Sequence, residues 1–426
     1  HLKHTVSPSP LCYYYLAWIT KEAHYAEKGH ALSHEYCFPH RIEDAIVLQY
    51  ILQIQPHPKC RYYLGNLWYD KKQYDLAIEC WSTAVDEGAD FATVYRNLSL
   101  ATYNKLHQKD KALSLMEQAF SIDNTDARIL MELDQLHKNL NTATATRLAF
   151  LEKHNGLITH RDDLYLEYIT LLNQSGLYNQ AAQMLAAKQF HPWEGGEGKV
   201  TGQHLLTYQQ LAKEALQQSN PHTTLQHLTT AENYPFNLGE GKLPGAQEND
   251  IFYLKGIAFA QAGETEQATY WFNKATIGIS EPVQAIFYND PQPDKILYQG
   301  LAWFKLGHNK TATDIFDKLI AFGELHLHDK IEIDYFAVSL PDLLVFDADL
   351  DMKNRIHCMY MMGLGYLGYA SMGMGLYTSK AEEMFSSVIQ QDVNHLGAII
   401  HKKFLDAGRS LASPPQFFSD GAKHHH

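Results

Sequence analysis

Apolar residues recur along most of this chain at the three- and four-residue intervals of a helix with one buried face. The stretch "CRYYLGNLWYDKKQYDLAIECWSTAVDEGAD", residues 60 to 90, carries Leu64, Gly65 and Trp68, then a polar turn, then Tyr74, Ala77, Trp81 and Ala84. Two antiparallel helices are predicted. The small residues mark where their backbones approach closely, and the large aromatic fills the gap toward the next pair. Tyr103, Ala112, Met116 and Ala119 follow, the last three standing thirty-five residues beyond Ala77, Trp81 and Ala84.

A period of this length in helix–turn–helix units is the spacing of a tetratricopeptide repeat. Further copies carry Gly256, Ala268, Phe272 and Ala275; then Gly300, Ala312 and Phe316; then Gly368, Ala381, Phe385 and Val388, with a longer turn between the helices of the last copy. A weaker pair spans residues 162 to 187, with Ala181 and Leu185 in its second helix. The expected fold class is all-α, a tetratricopeptide-like helical-repeat solenoid with glycine-rich loop insertions. Each pair in such a stack buries its apolar stripe against its neighbours. Repeats supply no chemistry by themselves, so function is sought in what interrupts them.

Four segments interrupt the pattern: "CFPH" at 37 to 40, "HPWEGGEGKVTGQ" at 191 to 203, "ENYPFNLGEGKLPGAQEND" at 232 to 250, and "YFAVSLPDLLVFDADLDMKNRIH" at 335 to 357. The two glycine loops align. Pro192 matches Pro235, Trp193 matches Phe236, Glu197 matches Glu240, Lys199 matches Lys242 and Gly202 matches Gly245. Each follows the second helix of one repeat and precedes the first helix of the next, so they are expected side by side on one edge. His191, Trp193, Glu194, Glu197, Lys199, Phe236, Glu240 and Lys242 form the candidate ligand or partner surface. Its structural counterpart is a set of tight turns in which the aromatics plug the core and the glutamates pair with lysines or cap helices. "GEGK" lacks the P-loop spacing and the following Ser or Thr, which excludes a phosphate cradle. In the fourth segment, Asp342 is expected to cap a helix, and Asp347 and Asp349 to serve a turn before "KNRIHCMYMMG".

A net charge of -13 without a basic stripe argues against a nucleic-acid partner. The run 359 to 377 carries five glycines and reads as buried helix, so no membrane partner is expected. Five widely spaced cysteines read as reduced thiols and point to a cytoplasmic setting. Twenty-four histidines fall in no HExxH or other ligand spacing, and Leu325 to Asp329 reads as a loop edge, so neither metal nor cofactor is expected. The opening His1 and the closing three histidines, read as a tag remnant, suggest a piece of a longer protein.

The quoted loops and "DYFAVSLPDLLVFDADL" resemble the C-terminal repeat region of bacterial proteins that contain the domain of unknown function 5107. The resemblance spans roughly residues 40 to 405. It implies a β-rich N-terminal portion, absent here, and an association with carbohydrate utilisation. The expected partner is that β-rich region or another subunit. The expected organisation is an N-terminal segment (1–40), helical repeats (41–190), the loop insertions around a helix pair (191–250), helical repeats (251–410) and a tail (411–426). Two functions stand open, and with them whether the chain is an enzyme. One is a scaffold for protein–protein or interdomain contact. The other is part of a glycoside hydrolase or sugar-binding protein. Hydrolysis would need two carboxylates about 5–9.5 Å apart across a sugar-sized cleft. The candidates are Glu194, Glu197, Glu240 and Glu248, with Asp342 and Asp347 behind them, and Trp193 would be the stacking platform.

Overall fold

A computed structural model describes residues 8–193, 195–284, 292–332 and 345–406. Among the described residues every regular element is helical. Two compact units divide the chain.

The first unit comprises residues 1–140 and 342–347. Its helices are α1 (Pro10–Thr20), α2 (His24–Ala31), α3 (Ile42–Ile54), α4 (Pro58–Asp70), α5 (Tyr74–Asp86), α6 (Ala92–Asn104), α7 (Lys109–Ile122) and α8 (Ala127–Asn139). Proline in the first turn starts α1 and α4, where its missing N–H costs no helical bond. Asp126 caps α8 by accepting from the Arg128 and Ile129 amides. Trp81 is 2 % exposed and lies against Gly65 so closely that a Cβ there would meet its ring at 2.4 Å. The indole Nε1 donates to the Tyr62 carbonyl at 3.3 Å and to Asn66 Oδ1 at 3.2 Å, so its one polar atom is satisfied inside the core. Trp68, one of the positions of the same periodic pattern, sits half-buried at the margin of that core rather than within it. Residues 345 to 347 also pack here. Asn104 donates to the Val345 carbonyl and accepts from the Asp347 amide, and Phe346 meets Tyr103 edge-on at 5.0 Å.

The second unit comprises residues 141–341 and 348–426. It holds α9 (Thr144–Lys153), α10 (Asn155–Ile158), α11 (Asp162–Gln174), α12 (Tyr178–Ala187), α13 (Lys199–Gln217), α14 (Pro221–Glu232), α15 (Asn249–Gln261), α16 (Thr265–Ala275), α17 (Pro293–Lys305), α18 (Asn309–His326), α19 (Leu350–Ser371), α20 (Leu376–Gln391) and α21 (Leu396–Asp406). From α11 onward the odd-numbered helices pack on one another in succession, and each even-numbered helix packs back on its partner. This is the two-layer stacking of a tetratricopeptide-like array. The turns within α11/α12, α15/α16, α17/α18 and α19/α20 each pass through a glycine at positive φ (Gly176, Gly263, Gly307, Gly373).

The glycine–aromatic pairing recurs sixteen residues apart at Gly256/Phe272 and Gly300/Phe316, as at Gly65/Trp81. The last copy departs from the sequence alignment. Phe385 packs on Gly363, while Gly368 closes on Phe316 of the preceding pair. The reason is that α19 runs 22 residues, so the extra length lies in the helix and not only in the turn. Asp349, expected in the turn before this helix, is itself the cap of α19 and accepts from the Met352 amide; Asp342, expected as a cap, lies outside the described residues.

The second unit also closes on itself. The loop between α20 and α21 seats against α9, α11 and the turn before them. Arg147 donates to Asn394 Oδ1 at 2.8 Å, Gln174 donates to the Asn394 carbonyl at 2.8 Å, and Asn141 donates to the Gln391 carbonyl at 2.8 Å. The buried Arg147 guanidinium also donates to Glu167 at 2.7 Å.

Candidate functional site: paired loops and a buried charged cluster

The two glycine-rich loops meet, as their shared pattern implies. The Phe190 amide donates to the Asn237 carbonyl at 2.8 Å, and Asn237 Nδ2 donates to the Leu185 and Lys188 carbonyls at 2.8 and 2.9 Å. Gly239 has φ +76, and a Cβ there would strike the Phe190 carbonyl oxygen at 2.7 Å, so this position demands glycine on two counts. Glu240 crosses to the other loop. Both of its carboxylate oxygens lie 3.1 Å from the Gly198 amide, and Thr201 Oγ1 donates to one of them at 3.3 Å. A carboxylate at the first turn of α13 satisfies orphan amides and meets the positive end of the helix dipole.

The remaining candidates divide. Lys242 is paired with Glu248 at 2.6 Å. Burial raises the Glu248 carboxyl above the usual range, and the Lys242 hydrogen bond acts against that rise. His191 donates its amide to Asp162, which also holds Lys188 at 2.8 Å. Trp193 is half-buried, its ring folded over Gly196, where a Cβ would come within 2.2 Å. Glu197 and Lys199 are exposed, and Glu194 lies outside the described residues. Phe236 is 92 % exposed, at the start of a single turn of 3-10 helix, Phe236–Leu238. Leu243, Ile277 and Ile279 are also exposed. The loop bearing the two isoleucines is tied to its neighbour through Asn249, which donates to the Ala275 and Ile277 carbonyls, and through Gln247, which donates to the Ile279 carbonyl. This edge therefore presents apolar side chains on hydrogen-bonded backbone.

A second constellation was not anticipated. Asp250 and Asp294 each stand six residues before a repeat glycine, at the N-terminal ends of α15 and α17. Lys295 pairs with Asp250, which also accepts from Gln209, and lies 3.9 Å from Asp294. Burial opposes the charge on Asp250, but Lys295 and the Gln209 hydrogen bond hold its carboxyl below the ordinary value. Burial raises the Asp294 carboxyl despite Lys295. Lys213 of α13 is 6 % exposed, its ammonium 4.4 Å from the Phe404 ring and 5.8 Å from the Tyr298 ring. Burial lowers its pKa to about 8. His401 of α21 is 5 % exposed, and burial, then the Lys213 charge, lower it to about 3, so the imidazole is neutral. The signal available in sequence was a pair of aspartates repeated in register at the starts of two repeat helices.

Among the described residues no group of three or more His, Cys, Asp or Glu could hold a metal ion. No helix among them is long and apolar enough to cross a membrane. All five cysteines are free thiols.

No family model matches the sequence. Solved structures similar to it include tetratricopeptide-repeat proteins at low identity. A tetratricopeptide repeat protein from Parabacteroides merdae matches at 13% identity over 62% of this chain and 90% of its own, with a TM-score of 0.30. The yeast Sti1 TPR2AB-domain:pHSP90 complex matches at 14% over 61% and 88%, with a TM-score of 0.27. The Naa15/Naa10 structure bound to HypK-THB matches at 11% over 94% of this chain and 60% of its own, with a TM-score of 0.39. At these scores the fold assignment rests on the chain's own helix packing.

Proposed function

We propose that this chain is a protein-interaction scaffold whose contact surface is the loop edge of the second unit. The observation that carries the reading is Phe236. Its backbone neighbours are fixed by Asn237 and Gly239, yet its ring is 92 % exposed. Leaving a phenylalanine in water forgoes about 1.5–3 kcal/mol of burial. An aromatic presented on a fixed backbone is a usual anchor of a protein interface, because little loop ordering remains to be supplied on docking. Leu243, Ile277 and Ile279 extend the apolar surface, with Glu197 and Lys199 at its polar margin. The partner favoured by the resemblance is the β-rich portion of the proteins described above, within a carbohydrate-related system, or another subunit.

Sugar hydrolysis draws less support, because Glu240 caps α13 and Glu248 is paired with Lys242. The test is a binding assay of the wild type, Phe236→Ala, Trp193→Ala and Glu197→Gln against that β-rich portion and a panel of oligosaccharides. Phe236→Ala is expected to weaken protein docking at least about tenfold with no change in melting temperature. Docking unaffected by Phe236→Ala would overturn the proposal. Oligosaccharide binding lost in both Trp193→Ala and Glu197→Gln would replace it with the carbohydrate reading.

A further inference from the structure

Residues 345 to 347 sit in the first unit, although the chain on either side of 342–347 belongs to the second. Their main chain is held by one side chain. Asn104, the last residue of α6, donates from Nδ2 to the Val345 carbonyl at 3.0 Å and accepts at Oδ1 from the Asp347 amide at 2.9 Å. A carboxamide presents a donor and an acceptor side by side, so it matches the carbonyl of one residue and the amide two residues on. Such a pair of bonds reads main chain and is indifferent to sequence. Asn104 is 8 % exposed, so withdrawal of the segment would leave its carboxamide without these partners inside the unit.

Selection among side chains lies between the two bonds and beside them. Phe346, the residue they span, is 8 % exposed and meets the Tyr103 ring edge-on at 5.0 Å. Tyr69 and Tyr103 are the penultimate residues of α4 and α6, equivalent places in successive repeats. Asp347 acts on both. Burial, then Tyr74 and the Asp347 charge, raise the Tyr69 hydroxyl, and burial, then the Asp347 charge, raise that of Tyr103. The Asp347 carboxylate lies 3.5 Å from Lys105 Nζ, and that ammonium stands 4.8 Å from the Tyr74 ring. Val345 is exposed, so its side chain adds little. The seat thus combines tyrosine rings, a main-chain clamp and an ammonium.

We propose that this seat on the first unit docks a segment of a partner protein in which an aromatic residue is followed by an acidic one, and that residues 345–347 occupy it in cis until such a segment displaces them. The chain's own Val-Phe-Asp shows what the seat accepts. Asn104 clamps the partner's main chain, Tyr103 meets its ring, and Lys105 meets its carboxylate. A tethered occupant competes at high effective concentration, so only a partner of greater affinity or abundance displaces it. The resident segment therefore acts as a filter against weak or sparse partners. Nothing in this proposal depends on the loop edge of the second unit.

The experiment is fluorescence polarisation of a labelled peptide, VFDAD, which copies residues 345–349, titrated with the full chain. Phe346→Asp places a charge where the ring is buried and expels the resident segment. That variant is expected to bind the peptide saturably, and the wild type at least about tenfold more weakly because its seat is filled. Adding Asn104→Ala to Phe346→Asp is expected to abolish binding, as is changing the peptide to VADAD. The peptide VFKAD is expected to bind less well, with the difference shrinking at high salt. Adding Phe236→Ala, on the loop edge, is expected to leave the peptide affinity unchanged, so the two proposals fail separately. Phe346→Ser, checked by circular dichroism, replaces Phe346→Asp if that variant does not fold. No binding to the Phe346 variant at about 1 mM would overturn the proposal. Equal binding to variant and wild type would do the same, as would binding that survives Asn104→Ala.

Discussion

Two glycines of the second unit make opposite predictions for the same substitution. Gly300 lies within α17, and an added Cβ would meet Phe316 Cε1 at 2.3 Å. Phe316 cannot back away. It is fully buried, and Gly368 of α19 also closes on it, where a Cβ would come within 2.4 Å. Overpacking of this kind costs about 1–3 kcal/mol, and a buried ring closed on by two helices belongs at the upper end. Alanine in a helix interior recovers about 1 kcal/mol over glycine. Gly300→Ala should therefore destabilise by about 2 kcal/mol, which for a unit of this size lowers the melting midpoint by about 4–8 °C. Gly202 is the control. It lies in the first turn of α13 with nothing within 4 Å of a built Cβ and no positive φ. Gly202→Ala should stabilise by up to about 1 kcal/mol. Urea and thermal melts, followed by far-ultraviolet circular dichroism, measure both. A Gly300→Ala midpoint at or above that of the wild type would refute the close-approach argument, and with it the reading of every glycine–aromatic pair in the array.

The two tryptophans of the first unit should separate: Trp81→Ala should cost about 3–5 kcal/mol as a fully buried ring, and Trp68→Ala, half-buried, less than half of that. Equal losses in urea melts would show that Trp68 is core. The first unit should also weaken in acid. Burial, then His57, lowers the His30 pKa to about 4 from its ordinary 6.5, and His57, stacked on it at 4.2 Å, is lowered as well. A folded-state pKa below the unfolded one means that the unfolded chain binds more protons between pH 6.5 and 4. Stability should fall by about 3 kcal/mol for His30 across that window and level off below it. Hydrogen exchange of α1–α4 peptides between pH 7 and 4 reads this; a His30→Gln variant that loses protection in parallel with the wild type would exclude the histidine as the cause.

How much of this was legible in the sequence follows from which interactions are local. Gly65/Trp81 and its counterparts sit within one helix pair, so a fixed spacing announces them. Adjacency of the glycine loops was legible for a related reason: equivalent positions in successive repeats share an edge. Gly202, aligned with Gly245 as part of the loop motif, instead turned out to be an unconstrained residue inside α13, because alignment reports identity and not backbone conformation. The roles of Glu240 and Trp193 were open to either reading; whether a carboxylate faces a ligand or a helix end depends on the path of a neighbouring loop. The Lys213 cluster escaped notice for a different reason. Its members come from α13, α15, α17 and α21, one or two polar residues from each, and only the packing of non-adjacent helices brings them together.

The seating of residues 391–394 on α9 and α11 changes how the second unit must be made. A linear stack of repeats can start anywhere and grow outward, and it survives the loss of an end. Here Arg147 and Asn394 are partners at a separation of 247 residues. Closing a loop of that length costs about 5 kcal/mol in chain entropy before any bond is gained. During synthesis the first helices of the unit emerge well before the stretch of chain that completes them, and Arg147, paired with Glu167, must wait for Asn394. Truncation after α20 would thus be felt at the first helices of the unit, more than two hundred residues earlier in the sequence. The last repeat is less a terminus than a clasp, and the unit it fastens should melt as one body rather than fray repeat by repeat.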